Sequence, residues 1–171
     1  GQYLDGWGKQ GNSPGQFLLP YNIAIGPGHT IYVADAGNNR IQSFAPTFEF
    51  RTSWGGQVTA VQQFREPIGV AIGPSDRVHV TDTRNNRVQV FEANGRFVQA
   101  YGQFGDYESA GGRFYWPIGI TVDCDGMTYV VDFYNHRIQA FRDGVFLRKW
   151  GMNDGEPGNF TFPRGIAAIG A

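Results

Sequence analysis

The chain has 171 residues and a formal charge of −1, with 41% hydrophobic and 15% aromatic residues. That balance gives no electrostatic reason to expect a nucleic-acid backbone or a membrane surface as partner. No apolar run approaches the roughly 20 residues of a membrane helix, and Cys124, the only cysteine, excludes an intrachain disulfide.

The elements follow in chain order. The first is a short strand at Tyr3–Gly8 that ends in an aromatic-Gly pair, Trp7-Gly8. No leader-like apolar stretch and no Met opens the chain, which reads as a processed or cut N-terminus. A block of four strands then begins. Its first strand follows Pro20, its second is Ile31–Ala34, its third is Ile41–Phe44 and its fourth ends at Trp54-Gly55. Proline suits the opening of a first strand, where no ladder donor is needed. The block recurs with first strands after Pro67 and Pro117, second strands Val78–Thr81 and Thr128–Val131, third strands Val88–Phe91 and Ile138–Phe141, and ends at Tyr101-Gly102 and Trp150-Gly151. Gly- or Asp-rich turns join first to second strands, as at Gly26-Pro27-Gly28 and Asp123-Cys124-Asp125-Gly126. A last first strand, Pro163–Ile169, closes the list of elements. No helix-period pattern occurs.

Four short antiparallel strands every 47 to 50 residues are the pattern of propeller blades. The expected fold is therefore all-β, an arc of four-stranded antiparallel blades: blade one at 8–55, blade two at 56–102, blade three at 103–151, with 1–7 and 152–171 contributing strands of incomplete blades.

The turn between second and third strands carries Asp-x-x-Asn-x-Arg in each copy, as Asp35/Asn38/Arg40, Asp82/Asn85/Arg87 and Asp132/Asn135/Arg137. Phe-x-x-Pro precedes each first strand, at Phe17/Pro20, Phe64/Pro67, Phe114/Pro117 and Phe160/Pro163. On these residues, and on the intact Asn135-His136-Arg137, the chain closely resembles the NHL repeat over nearly its whole length. The resemblance implies a ring of about six blades, each of roughly 40–50 residues. An arc of three and a half blades then reads as a stretch of a longer propeller, or as one that self-associates through its open blade edges.

The Asp/Asn/Arg set recurs in every blade, so the nine residues read as scaffold, with Asp accepting turn N–H groups and Arg pairing with it bidentately. No pair of histidines has metal-ligand spacing. His79 fills the strand slot of Tyr32 and Tyr129, and His136 the slot of Asn39 and Asn86. Asp123 and Asp125 read as a solvated turn, and Cys124 as inert. No catalytic residue, metal ligand or cofactor motif is assigned.

Function is sought where the copies differ. The resemblance implies that the loops leading into the first strands and the second-to-third turns share one face. There the variable residues are Arg65 in the loop and Arg84 in the turn of blade two, and Tyr115, Trp116, Phe133 and Tyr134 in blade three. Tyr21 and Arg164 occupy the position after the strand-opening proline. These eight are the candidate binding residues, because aromatic and Arg side chains dominate interface hot spots. The other reading of Trp116 and Phe133 is packing between blades. The expected function is a non-catalytic scaffold that binds a protein or peptide through these loops. A metal-dependent lyase or lactonase-like enzyme with an axial site is the alternative, with Asn22 standing where the other first strands carry Gly. RNA binding is the third reading; twelve of the fourteen basic residues are Arg, but the net charge disfavours it. The compartment stays open.

Overall fold

The computed structural model describes residues 6–56, 62–106, 108–152 and 154–168. Twelve strands form three sheets in chain order: β1 (Pro20–Ile25), β2 (Ile31–Asp35), β3 (Arg40–Phe44) and β4 (Phe50–Gly55); β5 (Pro67–Ile72), β6 (Val78–Asp82), β7 (Arg87–Phe91) and β8 (Phe97–Tyr101); β9 (Pro117–Val122), β10 (Met127–Asp132), β11 (Arg137–Arg142) and β12 (Val145–Trp150). Each sheet is an antiparallel meander paired strictly with its sequence neighbours. The registers repeat: Asp35 faces Arg40, Asp82 faces Arg87, and Asp132 faces Arg137.

The inner strands stand side by side, β1 against β5 and β5 against β9, and the row does not close. Between the first two sheets lies a core of Tyr32, Ala34, Ile41, Phe64, Val70, Val80 and Phe91, in which alternate residues of facing strands interdigitate. Between the second and third, Ala71, Val88, Phe114, Ile120, Val130 and Phe141 repeat the arrangement. A four-stranded sheet cannot bury both faces alone, so each blade is stabilised by its neighbours.

The outer-strand aromatics Trp54 and Tyr101 pack between blades. Trp54 lies 5.9 Å from Phe91 and Tyr101 lies 4.9 Å from Phe141. Trp7 approaches Phe44 at 6.1 Å in the same way. The glycine that follows each aromatic has a specific reason. Gly102 has φ +95°, and a Cβ there would lie 2.5 Å from the Phe114 ring. Gly55 stands in the same relation to Phe64. The aromatic-Gly and Phe-x-x-Pro signatures are two halves of one contact.

Two expected strands differ. The one expected at Tyr3–Gly8 lies partly outside the described residues, and its described part, residues 6–8, is not in a ladder. Pro163–Ala168, the described part of the one expected at Pro163–Ile169, is not paired as a strand. It packs on the third sheet instead, with Phe160 and Ile166 against Ile118, Val131 and Ile138. The reason is topological: every first strand here takes its ladder from the second strand of its own blade, and none follows residue 163 in these residues.

Candidate functional site

The second-to-third turns build the floor of the site. In the second blade, Asp82 is fully buried at the end of β6. Its Oδ1 accepts the Arg65 backbone N–H at 2.8 Å, and Asn85 Nδ2 donates to both oxygens at 3.0 and 2.9 Å. Its Oδ2 also accepts from Arg87 Nε at 2.7 Å and Gln89 Nε2 at 3.1 Å. Asp35 receives the same set from Leu18 N, Asn38, Arg40 and Gln42, and Asp132 from Tyr115 N, Asn135, Arg137 and Gln139. A buried carboxylate needs such partners. Burial pushes the Asp82 and Asp132 carboxyls above the usual carboxylate range, against the pull of these donors.

The carboxylate is thus a clamp that fixes the loop ahead of the first strand to the turn after the second. Backbone bonds complete the join, from Gly37 N to Leu18 O, Arg84 N to Arg65 O and Tyr134 N to Tyr115 O. The expectation of a bidentate Arg–Asp fork is corrected. Arg40 reaches Asp35 through Nε, while its remaining nitrogens donate to the carbonyls of Asn12, Ser13 and Gln16. The turn N–H groups are likewise not the donors; the carboxylate takes a loop N–H. Gln42, Gln89 and Gln139 are members of the clamp that sequence reasoning missed. They stand at one position in all three copies, and that repetition was the available signal.

A second device joins consecutive blades. Asn39 Oδ1 accepts the Glu66 N–H at 2.8 Å, and Asn86 Oδ1 accepts the Trp116 N–H at 3.0 Å. His136 Nδ1 accepts the Phe162 N–H at 3.1 Å. Donor and acceptor residues alike have positive φ, between 49° and 58°. Asn and His tolerate that region better than most residues, and the bond from the neighbouring blade holds Glu66, Trp116 and Phe162 there. His136 therefore has a structural partner.

On this floor the structure brings the eight candidate residues to one continuous surface. A cavity of about 460 Å³ is lined by Tyr21, Trp116, Phe133, Tyr134 and Arg164, among others. A second, of about 330 Å³, adjoins it through shared Tyr21 and Glu66, and holds Arg65 and Arg84. Tyr134 is the hub: its ring centroid is 4.9 Å from Tyr115, 5.4 Å from Trp116, 4.8 Å from Phe133 and 6.2 Å from Phe162. Arg84 lies over Trp116 at 5.4 Å and pairs with Glu66; Arg164 lies over Phe133 at 5.0 Å. Tyr21, Tyr115 and Tyr134 are exposed, whereas Trp116 and Phe133 are half-buried. Trp116 and Phe133 each pack against the Tyr134 ring while keeping part of their surface open. Leu19, Phe104 and Phe162, all exposed, extend the surface and were not among the candidates. Leu19 and Phe162 hold the slot of Trp116, the residue before the strand-opening proline, which was the available signal; Phe104 sits in a loop where sequence position alone carries no direction.

Asn22 also lines the larger cavity. His79 is buried in β6, its Nδ1 without a hydrogen-bond partner among the described residues. Burial, and secondarily Arg77, lowers its pKa to about 4. Asp123 caps its own turn by accepting from the N–H groups of Asp125 and Met127, and Cys124 is exposed. Among the described residues, no three His, Cys, Asp or Glu side chains gather as metal ligands.

Three consecutive four-stranded meanders with inner strands side by side are the blades of a β-propeller, here an incomplete ring. The NHL repeat family matches residues 64–91 and 114–141, and the first blade carries the same clamp on Asp35. The chain is a β-propeller segment that carries NHL repeats at residues 64–91 and 114–141.

Solved structures support the fold. Virginiamycin B lyase from Staphylococcus aureus is 19% identical with a TM-score of 0.61, over 85% of this chain and 44% of that one. Hydrazine synthase from Kuenenia stuttgartiensis is 17% identical with a TM-score of 0.65, over 96% and 42%. The WD40 repeats of RRP9 are 9% identical with a TM-score of 0.62, over 80% and 39%. The chain spans less than half the length of each. No curated protein matches the chain in sequence.

Proposed function

We propose that this propeller segment is a non-catalytic binding module that takes a protein or peptide segment on the surface around Tyr134. The observation that carries this reading is the aromatic cluster of Tyr115, Trp116, Phe133 and Tyr134 edged by Arg84 and Arg164. Residues of these types, set partly exposed around a concave site, are those that supply most binding energy at interfaces. The clamp beneath holds their backbone in place, so little ordering entropy is left to be lost on binding. On this reading the blades span 8–55, 56–102 and 103–151, and the loops of blades two and three form one site with Tyr21 of blade one and Arg164 at its margins.

A metal-dependent enzyme is the second reading, and Asn22 on the cavity wall is what favours it. It ranks lower because Glu66, the carboxylate lining that cavity, is already held by Arg84. The test is a paired measurement on the protein and its Trp116→Ala/Tyr134→Ala variant. Peptides selected from a random library on the wild type are titrated against both by fluorescence anisotropy. Loss of binding with an unchanged melting temperature is expected. Retained affinity in the folded variant would move the function elsewhere on the chain.

A further inference from the structure

We infer that the ligand of this surface is an acidic peptide segment, one carboxylate of which pairs with Arg164 while a neighbouring apolar side chain lies against Trp116. The inference rests on the binding-module reading above and adds the chemistry of the ligand.

Charge carries the argument. The whole chain has a net charge of −1, yet the two adjoining cavities hold Arg65, Arg84 and Arg164 against the single carboxylate of Glu66. Glu66 is taken by Arg84. Among the described residues, Arg65 and Arg164 form no ion pair. The aspartates of the floor do not offset them, because Asp35, Asp82 and Asp132 are fully buried and bonded to Arg40, Arg87 and Arg137. Positive charge is therefore concentrated on a surface where aromatic side chains also gather. Arg164 follows Pro163, and its guanidinium lies on the Phe133 ring. A guanidinium laid on an aromatic face keeps its in-plane N–H groups for a carboxylate, the planar partner that its fork matches. Beside it, Trp116, Ile68 and Ile118 supply an apolar wall.

The ring geometry selects peptide over single-stranded nucleic acid. Sequence-tolerant RNA binding needs successive open ring faces on which bases stack. Here the rings meet largely edge to face: Trp116 and Tyr134 at 66°, Phe133 and Tyr134 at 68°, Tyr134 and Phe162 at 88°. One face each of Trp116 and Phe133 is already under an arginine.

The test uses a peptide selected from a random-peptide library on the wild-type protein, and a synthetic copy in which every Asp and Glu is replaced by Asn and Gln. Both are titrated against the wild type, Arg164→Gln, Trp116→Ala/Tyr134→Ala, and Arg142→Gln, which removes the same charge at the far end of β11. The acidic peptide is expected to bind the wild type and Arg142→Gln about tenfold or more tighter than its amide copy, and Arg164→Gln is expected to lose that preference. Equal binding of both peptides to the wild type, abolished in the aromatic double variant, would overturn the acidic ligand and leave the binding surface standing. Equal binding of the acidic peptide to the double variant and the wild type would overturn both. Binding of oligouridylate where no peptide binds would also overturn both.

Discussion

The side-chain oxygen of Asn86, in the turn of the second blade, accepts the backbone N–H of Trp116, thirty residues further on in the third blade, at 3.0 Å. Both residues have positive φ, 54° and 58°. One bond therefore ties two blades, holds an uncommon backbone conformation, and fixes the base of the aromatic surface. Its two contributions can be separated. Asn86→Gly keeps the conformation and loses the bond; Asn86→Ala loses both. We expect Asn86→Gly to cost about 1 kcal/mol, the worth of a typical hydrogen bond, and Asn86→Ala about 2 kcal/mol, since a Cβ without a local bond is disfavoured at positive φ. Urea denaturation of the two variants measures the difference. Equal losses would show that the bond alone matters.

The clamp predicts a hierarchy around Asp82. Asp82→Ala leaves Arg87 next to a buried gap, and breaking such a pair costs about 3–5 kcal/mol. Gln89→Ala removes one donor of the set and should cost about 1–2 kcal/mol. Asp82→Asn should fall between, because an amide still accepts at one oxygen but meets Arg87, Asn85 and Gln89 with donors of its own. Chemical denaturation orders the three. A Gln89 variant as damaging as Asp82→Ala would mean that the glutamine, not the carboxylate, organises the turn.

Much of this was legible in the sequence, and what was missed has physical reasons. Repeat length, strand-opening prolines and Asp-x-x-Asn-x-Arg turns mark the twelve described strands, because these positions solve a local backbone problem in every copy. The scaffold role of Asp82 and its equivalents followed from repetition. Gln89 repeats as faithfully, but it stands in a strand where side chains are read for which face they occupy, so its reach back to Asp82 is invisible without the fold. Asn39, Asn86 and His136 were legible as equivalent and not as interblade bonds, since the donors Glu66, Trp116 and Phe162 differ in side chain and offer only a backbone N–H. The segment at residues 163–168 has the pattern of a first strand, and no strand pairs with it among the described residues.

His79 makes stability depend on pH. Burial, with Arg77 second, lowers its pKa to about 4, and Asp143 only partly opposes them. An unfolded histidine titrates near 6.5. Above that value the imidazole is neutral in both states and costs nothing. As pH falls toward about 4, the unfolded chain binds a proton that the folded chain refuses, so stability is lost, by roughly 3 kcal/mol over the whole interval. Tyr32 and Tyr129 occupy the same slot in the other blades, so His79→Tyr should fit. Urea midpoints at pH 7 and pH 4.5 should fall less in His79→Tyr than in the wild type. Parallel curves would place the acid sensitivity in other groups.

On the proposed reading, ligand binds on the surface around Tyr134, across the loops of blades two and three with Tyr21 and Arg164 at the margins. Backbone amide NMR mapping during titration with a library-selected peptide tests it most directly. The largest shift changes are expected at Tyr21, Arg84, Trp116, Tyr134 and Arg164, with the outer strands β4, β8 and β12 unmoved. Shift changes confined to those outer strands, with Trp116 and Tyr134 silent, would contradict it.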